Sequence, residues 1–347
     1  MNRKNEHIQL AAKGSKNMLN DFDRVRFIHH CLSDLSIDDI DLSLSIDGIA
    51  MDAPFFINAM TGGSEWTKSI NEKLARVASY TGLAMATGSM SAAIKESSLM
   101  DTFTVIREIN PKGIVFTNLQ ASATLDAVNQ TIDWVNPDAI QLHVNITQEL
   151  LMPEGDRYFN GWLKNIEHIV SNTKIPVIIK EVGFGFSQQM LNSLQSVGVK
   201  NVDISGKGGT NFAEIENQRS ETAMDYMNNW GQSTVCSLLE SQAFVESMNI
   251  IASGGIRHAL DIAKSLALGA KAVGISGFIL RTLLEFGEKE TIKMIEQIKE
   301  DLIKIMVLLN VQRVDQFKQT DLLFDDYLLS YAKQRNINIS HLSLRRK

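Results

Sequence analysis

One pattern recurs eight times along this chain. A short apolar, β-rich run ends in small or polar residues and is followed by a longer stretch whose apolar residues return every three to four positions. The runs are PFFINAM (54–60), LAMATG (83–88), GIVFTNL (113–119), AIQLHVN (139–145), PVIIKEV (176–182), NVDISG (201–206), NIIASGG (249–255) and AVGISG (272–277). Helical stretches between them include Glu65 to Tyr80, Gly161 to Thr173, Ser187 to Val197 and Ala259 to Leu268. Strands that are apolar at consecutive positions need cover on both faces. Eight strand–helix units at about thirty residues each predict a (β/α)8 TIM barrel. A doubly wound sheet is the alternative, with less need of eight units of one kind.

The barrel is expected over 51–310 within a single domain, with an N-terminal extension over 1–50 and a C-terminal helical tail over 311–347. Glu288 to Leu309 reads as the amphipathic helix that closes the barrel, with Ile292, Ile295, Ile298, Leu302, Ile305 and Leu309 as its apolar stripe. The polar tail beyond it has three open fates: packing on the barrel, joining a subunit interface, or fraying. Two intervals break the rhythm: about 37 residues separate the middles of the fourth and fifth runs, and about 48 the middles of the sixth and seventh. Both excesses follow a strand, on the side where barrel loops build active sites, so they read as binding loops or lids.

Composition narrows the function classes. The 34 Lys and Arg against 40 Asp and Glu leave a net charge of −6, and no long basic block occurs, which argues against nucleic acid as a partner. The two cysteines, Cys31 and Cys236, lie far apart, so neither a disulfide framework nor a cysteine-rich zinc site is encoded; both are expected to be buried thiols. No stretch reaches the roughly 18 apolar residues of a membrane span, and the start is too polar for a signal peptide. A cytoplasmic protein without a membrane partner is expected.

Strand alternation selects the side chains that share a face. Gln141, His143 and Asn145 line one face of the fourth run, Lys180 shares a face with Ile178 and Val182, and Asp203 shares one with Ser205. Polar groups at strand ends facing a barrel interior are site candidates, because otherwise they would be buried without partners. For Lys180 the alternatives are snorkelling or a core ion pair with Asp203. The last two strands end in SGGIR (253–257) and GISG (274–277), each followed by helical sequence. Backbone N–H groups at such turns favour a phosphate, and Arg257 adds a charged fork. GFGFSQ (183–188) and GKGGTN (206–211) both fail as dinucleotide fingerprints.

RKNEH (3–7), AMTGG (59–63), ATGSM (86–90), QLHVNITQE (141–149), MPEGDR (152–157), VIIKEVGFG (177–185), SGKGGTNF (205–212), IENQR (215–219) and SGGIR (253–257) together resemble the type 2 isopentenyl-diphosphate isomerases, which are FMN-dependent barrel enzymes. The resemblance spans Arg3 to Gly277. It implies that FMN is held by Ala59, Met60, Thr61, Ser89, Asn118, Lys180, Ser205 and Thr210, with its phosphate on Gly255, Ile256, Arg257, Ser276 and Gly277. It implies that Arg3 and Lys4 reach the substrate diphosphate, that His143, Asn145 and Gln148 lie nearby as catalytic and substrate-binding groups, and that Glu149 binds Mg²⁺, a hard cation suited to a carboxylate and phosphate oxygens. Glu154, Asp156 and Arg157 are expected only to tie their loop together.

The implied reaction moves the double bond of isopentenyl diphosphate to give dimethylallyl diphosphate, adding a proton at one carbon and removing one two carbons away, with no net oxidation. An alkene is a poor base, so the step needs a well-placed acid and a dry site. Reduced FMN is the expected acid–base group, with NADPH as its reductant. The family also implies a homo-oligomer, a tetramer or octamer. Two other functions are weighed: an FMN-dependent 2-hydroxy-acid oxidase or dehydrogenase, disfavoured because SGKGGTNF lacks the histidine those enzymes carry there, and a barrel that binds a phosphorylated ligand without catalysis.

Overall fold

A computed structural model describes residues 3–13 and 20–346, with side chains for 5–10 and 20–346. Eight parallel strands close into a barrel: β1 (Phe55–Ile57), β2 (Met85–Ala86), β3 (Val115–Gln120), β4 (Ala139–His143), β5 (Val177–Lys180), β6 (Asn201–Asp203), β7 (Asn249–Ser253) and β8 (Ala272–Ile275). Seven of them lie inside an expected run, and β3 extends one residue past its run, to Gln120. The other strands are shorter than their runs because each run's last residues turn out into a loop at the carboxyl end.

Helices follow the strands. The N-terminal α1 (Arg3–Lys13) precedes the barrel, and α2 (Glu65–Thr81), α3 (Asp101–Ile109) and α4 (Leu125–Val135) follow β1, β2 and β3. After β4 come α5 (Ile146–Leu151) and α6 (Trp162–Asn172); after β5, α7 (Gln188–Ser196); after β6, α8 (Phe212–Arg219) and α9 (Thr234–Glu240). Then α10 (Ala259–Ala267), α11 (Gly277–Leu308) and α12 (Asp326–Gln334) complete the outer layer and the tail. The two long intervals thus hold α5 and α8, extra helices over the carboxyl face. Within α11, Gly287 has φ 82° and ψ 179°, so the expected closing helix from Glu288 is a separate rod that pivots on a glycine.

Apolar side chains fill two large compartments, and a small third cluster, Leu151, Phe184 and Ala213, joins the loops over the barrel. Of the large two, one lies between strands and helices; the other fills the lower barrel, where Phe56, Phe116, Ile178 and Ile251 pack with Ile46 and Met51. These last two come from a hairpin, Leu44–Ile46 with Ile49–Met51, that caps the amino end of the barrel. Its turn is Asp47–Gly48, both at positive φ, the geometry that two-residue hairpins favour. Above the apolar plug the interior turns polar, and there the strands reach the site.

The tail packs on the barrel. Its strand Leu322–Phe324 pairs antiparallel with Val25–Phe27 of the extension, and Phe317, Leu322, Leu328 and Leu342 are fully buried. Of the two cysteines expected to be buried, Cys236 is, but Cys31 is exposed: it sits in an irregular segment over the surface, with no strand or helix to cover it. No described helix is long and apolar enough to cross a membrane.

Candidate active site at the carboxyl end of the barrel

Parallel register places His143 beside Lys180 and Lys180 beside Asp203. Lys180 Nζ donates to Asp203 Oδ2 at 2.7 Å and to Ser253 Oγ at 3.4 Å, while Ser253 Oγ donates to Asp203 Oδ1 at 2.5 Å. The core ion pair, an alternative reading of Lys180, is therefore present, and it sits at the barrel mouth. Asp203 also accepts from Asn58 Nδ2 at 2.7 Å and from the Ser205 N–H at 3.2 Å. The network continues across the barrel: Gln141 Nε2 donates to Asn58 Oδ1 (2.9 Å), Asn118 Nδ2 to Gln141 Oε1 (3.0 Å), and His143 Nδ1 meets Asn118 Oδ1 at 2.8 Å. Satisfied buried networks of this kind fix side-chain orientation. Sequence alternation found Gln141, His143, Lys180 and Asp203; it missed Asn58 and Ser253, whose signal was a single polar residue on the inner face of an apolar run.

The loop after β4 carries a second cluster. Glu149 is 6% exposed; its Oε1 accepts from Gln120 Nε2 (3.0 Å) and Asn145 Nδ2 (2.9 Å), and its Oε2 from the Asp156 N–H (2.8 Å). Among the described residues no cation pairs with this carboxylate, and no three His, Cys, Asp or Glu side chains gather as a metal cluster. A buried carboxylate held only by neutral donors fits a divalent cation whose other ligands come from substrate oxygens and water. Arg157 donates to the backbone oxygens of Glu149 and Met152, and Glu154 pairs with Arg219, so MPEGDR ties its loop down.

Gln148, also buried, donates from Nε2 to Glu216 Oε1 at 2.9 Å. Glu216 is the fully buried centre of the loop after β6. His7 Nε2 of α1 lies 3.0 Å from the same oxygen, Arg219 binds its other oxygen, and Arg219 reaches Glu6 at 3.2 Å. Burial opposes the charge of Glu216, but hydrogen bonds from His7, Gln148 and Arg219 outweigh it and hold the carboxyl below its ordinary range. This cluster draws α1, which begins at Arg3 and Lys4, toward the site. The Arg3 and Lys4 side chains lie outside the described residues. IENQR carries the signal for Glu216, though no role could be read from it.

The turns after β6, β7 and β8 meet in a glycine-lined cradle. Gly254, Gly255 and Gly208 have φ of 91°, 78° and 123°. A Cβ on Gly254 would lie 2.1 Å from the Gly206 carbonyl oxygen, and one on Gly209 would lie 2.9 Å from the Gly255 nitrogen, so only glycine permits this approach. Asn20 of the extension donates to the Gly255 carbonyl at 2.6 Å. Beside Gly277, at the start of α11, stand the Thr210 hydroxyl and the Arg281 guanidinium. Arg257 is not the free fork expected from sequence. Its guanidinium binds Asp261 at 2.8 Å and Asp23 at 2.6 Å, because Asp261 one turn on and the folded-back extension both present carboxylates to it.

After β1, Ala59 and Met60 are half-buried and Thr61 is buried, with no hydrogen-bond partner for Thr61 Oγ1. Ser89 after β2 contacts Ser91 at 3.1 Å, and Ile256 is buried in the helix layer. An orphaned buried hydroxyl, a cradle free of Cβ atoms and a helix N-terminus together fit a phosphorylated cofactor such as FMN. A cavity of about 400 Å³ opens between the loops, lined by Thr147, Glu181, Phe184, Gly185, Trp230, Gly231 and Gln232.

Comparisons with known proteins bear on the family and the fold. A model of the FMN-dependent dehydrogenase family matches residues 151–323. Over 338 residues, 97% of both chains, the sequence is 48% identical to an isopentenyl-diphosphate delta-isomerase of Staphylococcus aureus. It is 49% identical to the protein of that name from Staphylococcus haemolyticus over the same share of each chain. Among solved structures, a flavocytochrome b2 variant with benzoylformate superposes with a TM-score of 0.67 at 19% identity, covering 97% of this chain and 82% of that one. A mandelate oxidase variant with an FMN adduct gives 0.66 at 17% identity, covering 92% of each chain. These two share the fold. The segment 204–233 after β6 contains no histidine.

Proposed function

The chain belongs to the isopentenyl-diphosphate delta-isomerases, in the type 2 flavin-barrel form that its motifs resemble, and from that membership we propose that it converts isopentenyl diphosphate to dimethylallyl diphosphate with reduced FMN and Mg²⁺. The observation that carries this reading is near-complete coverage of enzymes of that name at 46–49% identity.

On this reading Ala59, Met60, Thr61, Ser89, Asn118, Lys180, Ser205 and Thr210 would hold FMN. Its phosphate lies at Gly255, Ile256, Arg257, Ser276 and Gly277, with Arg257 contributing its turn rather than its guanidinium. Reduced FMN supplies a group that gives and accepts a proton and an electron-rich ring face beside developing positive charge; NADPH is the reductant. The chain's own part is to bind, orient and dry. Arg3, Lys4 and Gln148 hold the diphosphate end, and Glu149 holds Mg²⁺ against it. His143, Asn145 and Gln148 surround the reacting carbons. Gln148 is fixed by Glu216 and Asn145 rather than free to rotate, which favours one geometry for proton delivery and removal. The same reading includes a tetramer or octamer, measurable by light scattering.

The decisive assay is incubation with isopentenyl diphosphate, FMN, NADPH and Mg²⁺, with dimethylallyl diphosphate as the readout. No product under reducing conditions would overturn the activity. Substituting 5-deaza-FMN tests the flavin's role: full activity would remove flavin acid–base chemistry.

A further inference from the structure

Arg281 stands one helical turn after Gly277. Long helical side chains lean back toward the N-terminus, so a residue at i+4 covers the position at i. Here the covered position is a glycine, and the room matters: a Cβ on Gly277 would lie 3.2 Å from Arg281 Nη1 and 3.3 Å from Thr210 Oγ1. Two polar groups from separate elements therefore converge on the first turn of α11. Ser276, at the N-cap position, makes no side-chain capping bond.

Four other cations among the described residues are engaged. Arg257 is held by Asp23 and Asp261, Lys180 by Asp203, Lys207 by Asn229 at 2.8 Å, and Lys264 by the Phe22 carbonyl at 2.7 Å. Arg281 is half-buried, yet among the described residues no carboxylate or hydrogen-bond acceptor meets its guanidinium. Burial alone accounts for its lowered pKa, with no acid to offset it. A half-desolvated guanidinium without a counter-charge is costly unless an anion completes it. A phosphate monoester, close to dianionic at neutral pH, matches its donor fork.

We infer that Arg281, rather than Arg257, is the side-chain cation for the phosphate of the flavin, acting with Thr210 and the first turn of α11. This rests on the flavin reading above and adds the residue that makes the site select a flavin phosphate over the same flavin without one. Arg257 acts instead as a clasp between the extension and α10.

The test is titration of apoprotein with FMN and with riboflavin, read by flavin fluorescence, which needs no turnover. Wild type is expected to prefer FMN. Arg281→Ala should weaken FMN by roughly tenfold or more while changing riboflavin by less than about twofold, so that the preference collapses. Arg281→Lys should restore part of it, as a point charge without the fork. Unchanged riboflavin binding certifies that the variant is folded. Arg257→Ala should lower Tm and weaken both flavins together, keeping their ratio. An Arg281→Ala protein that keeps the full preference for FMN overturns the inference, as does loss of the preference in Arg257→Ala alone. If wild type binds neither flavin, the flavin reading itself fails.

Discussion

Asp203 collects Lys180, Ser253, Asn58 and the Ser205 N–H on one buried carboxylate, so a single substitution there acts on fold and site together. Lys180→Ala removes the one charged donor among the described residues but leaves three neutral ones. Deleting one partner of a buried pair costs about 3–5 kcal/mol; with the remaining donors we expect roughly 2–3 kcal/mol, measured by denaturant unfolding of apoprotein, and reduced FMN retention. Full stability with full flavin binding would return Lys180 to a snorkelling side chain. Glu149→Gln keeps the shape and removes the charge, so the Mg²⁺ concentration for half-maximal rate should rise. Glu181 is a different case. Burial pushes its carboxyl up to about 7, against four backbone N–H donors from Val182 to Gly185 that favour the charged form. A carboxyl whose folded pKa is raised binds its proton more tightly folded than unfolded, so its contribution is complete below about 4.5 and declines as pH rises to about 7. Unfolding free energy measured across that window should therefore fall less steeply with pH in Glu181→Gln than in wild type.

At the scale of elements, the loops over the barrel are joined by Glu216, which binds Gln148 from the loop after β4, Arg219 from its own helix and His7 from α1. Glu216→Ala should release α1 while sparing the barrel. The expected result is faster amide exchange across 5–10 and a raised KM for the diphosphate substrate, with Tm lowered by only a few degrees. If exchange in α1 is unchanged, the helix is held by the packing of Ile8 and by its other contacts, Glu6 with Arg219 and Asn5 with Ser64. None of these links has a sequence period. Strands and helices were legible because their patterns are local: burial on both faces writes an unbroken apolar run, and one-sided burial writes a 3.6-residue repeat. The hairpin at Asp47–Gly48 was equally local, yet its strands are only three residues long, too short to stand out beside the barrel units. A contact such as Glu216 with His7 joins positions 209 apart and leaves no mark in either segment. Arg257 shows the reverse error: its motif was legible, but the carboxylates that claim it come from Asp23 and Asp261, and only folding brings Asp23 there.

For the whole molecule, the net charge of −6 does not prevent anion binding, because cations and helix N-termini gather at one end of the barrel. The tail is the part that sequence left without a function, and its place now suggests one. Its strand pairs with the extension, Arg24 binds Asp325 at 2.5 Å, and α12 reaches back to the site through the fully buried Glu240. Arg335 Nε (2.7 Å) and the Tyr331 hydroxyl (2.8 Å) donate to Glu240 Oε1, and Glu240 Oε2 accepts from the Gln188 N–H at the start of α7. Tyr331 also accepts from Gln232 at 3.4 Å, and Gln232 lines the cavity between the loops while its backbone bonds to Phe184 and Lys207. The tail thus braces the cavity wall from behind. Tyr331→Phe with Arg335→Ala removes the brace and leaves the buried Glu240 with the Gln188 N–H, while the buried apolar contacts of the tail persist, so the expected stability loss is roughly 2–4 kcal/mol. If bracing serves binding, amide exchange across 229–234 should quicken and KM for the diphosphate substrate should rise severalfold, with kcat within about twofold. Equal loss of kcat and no change in exchange would mean that the tail only clasps the extension to the barrel.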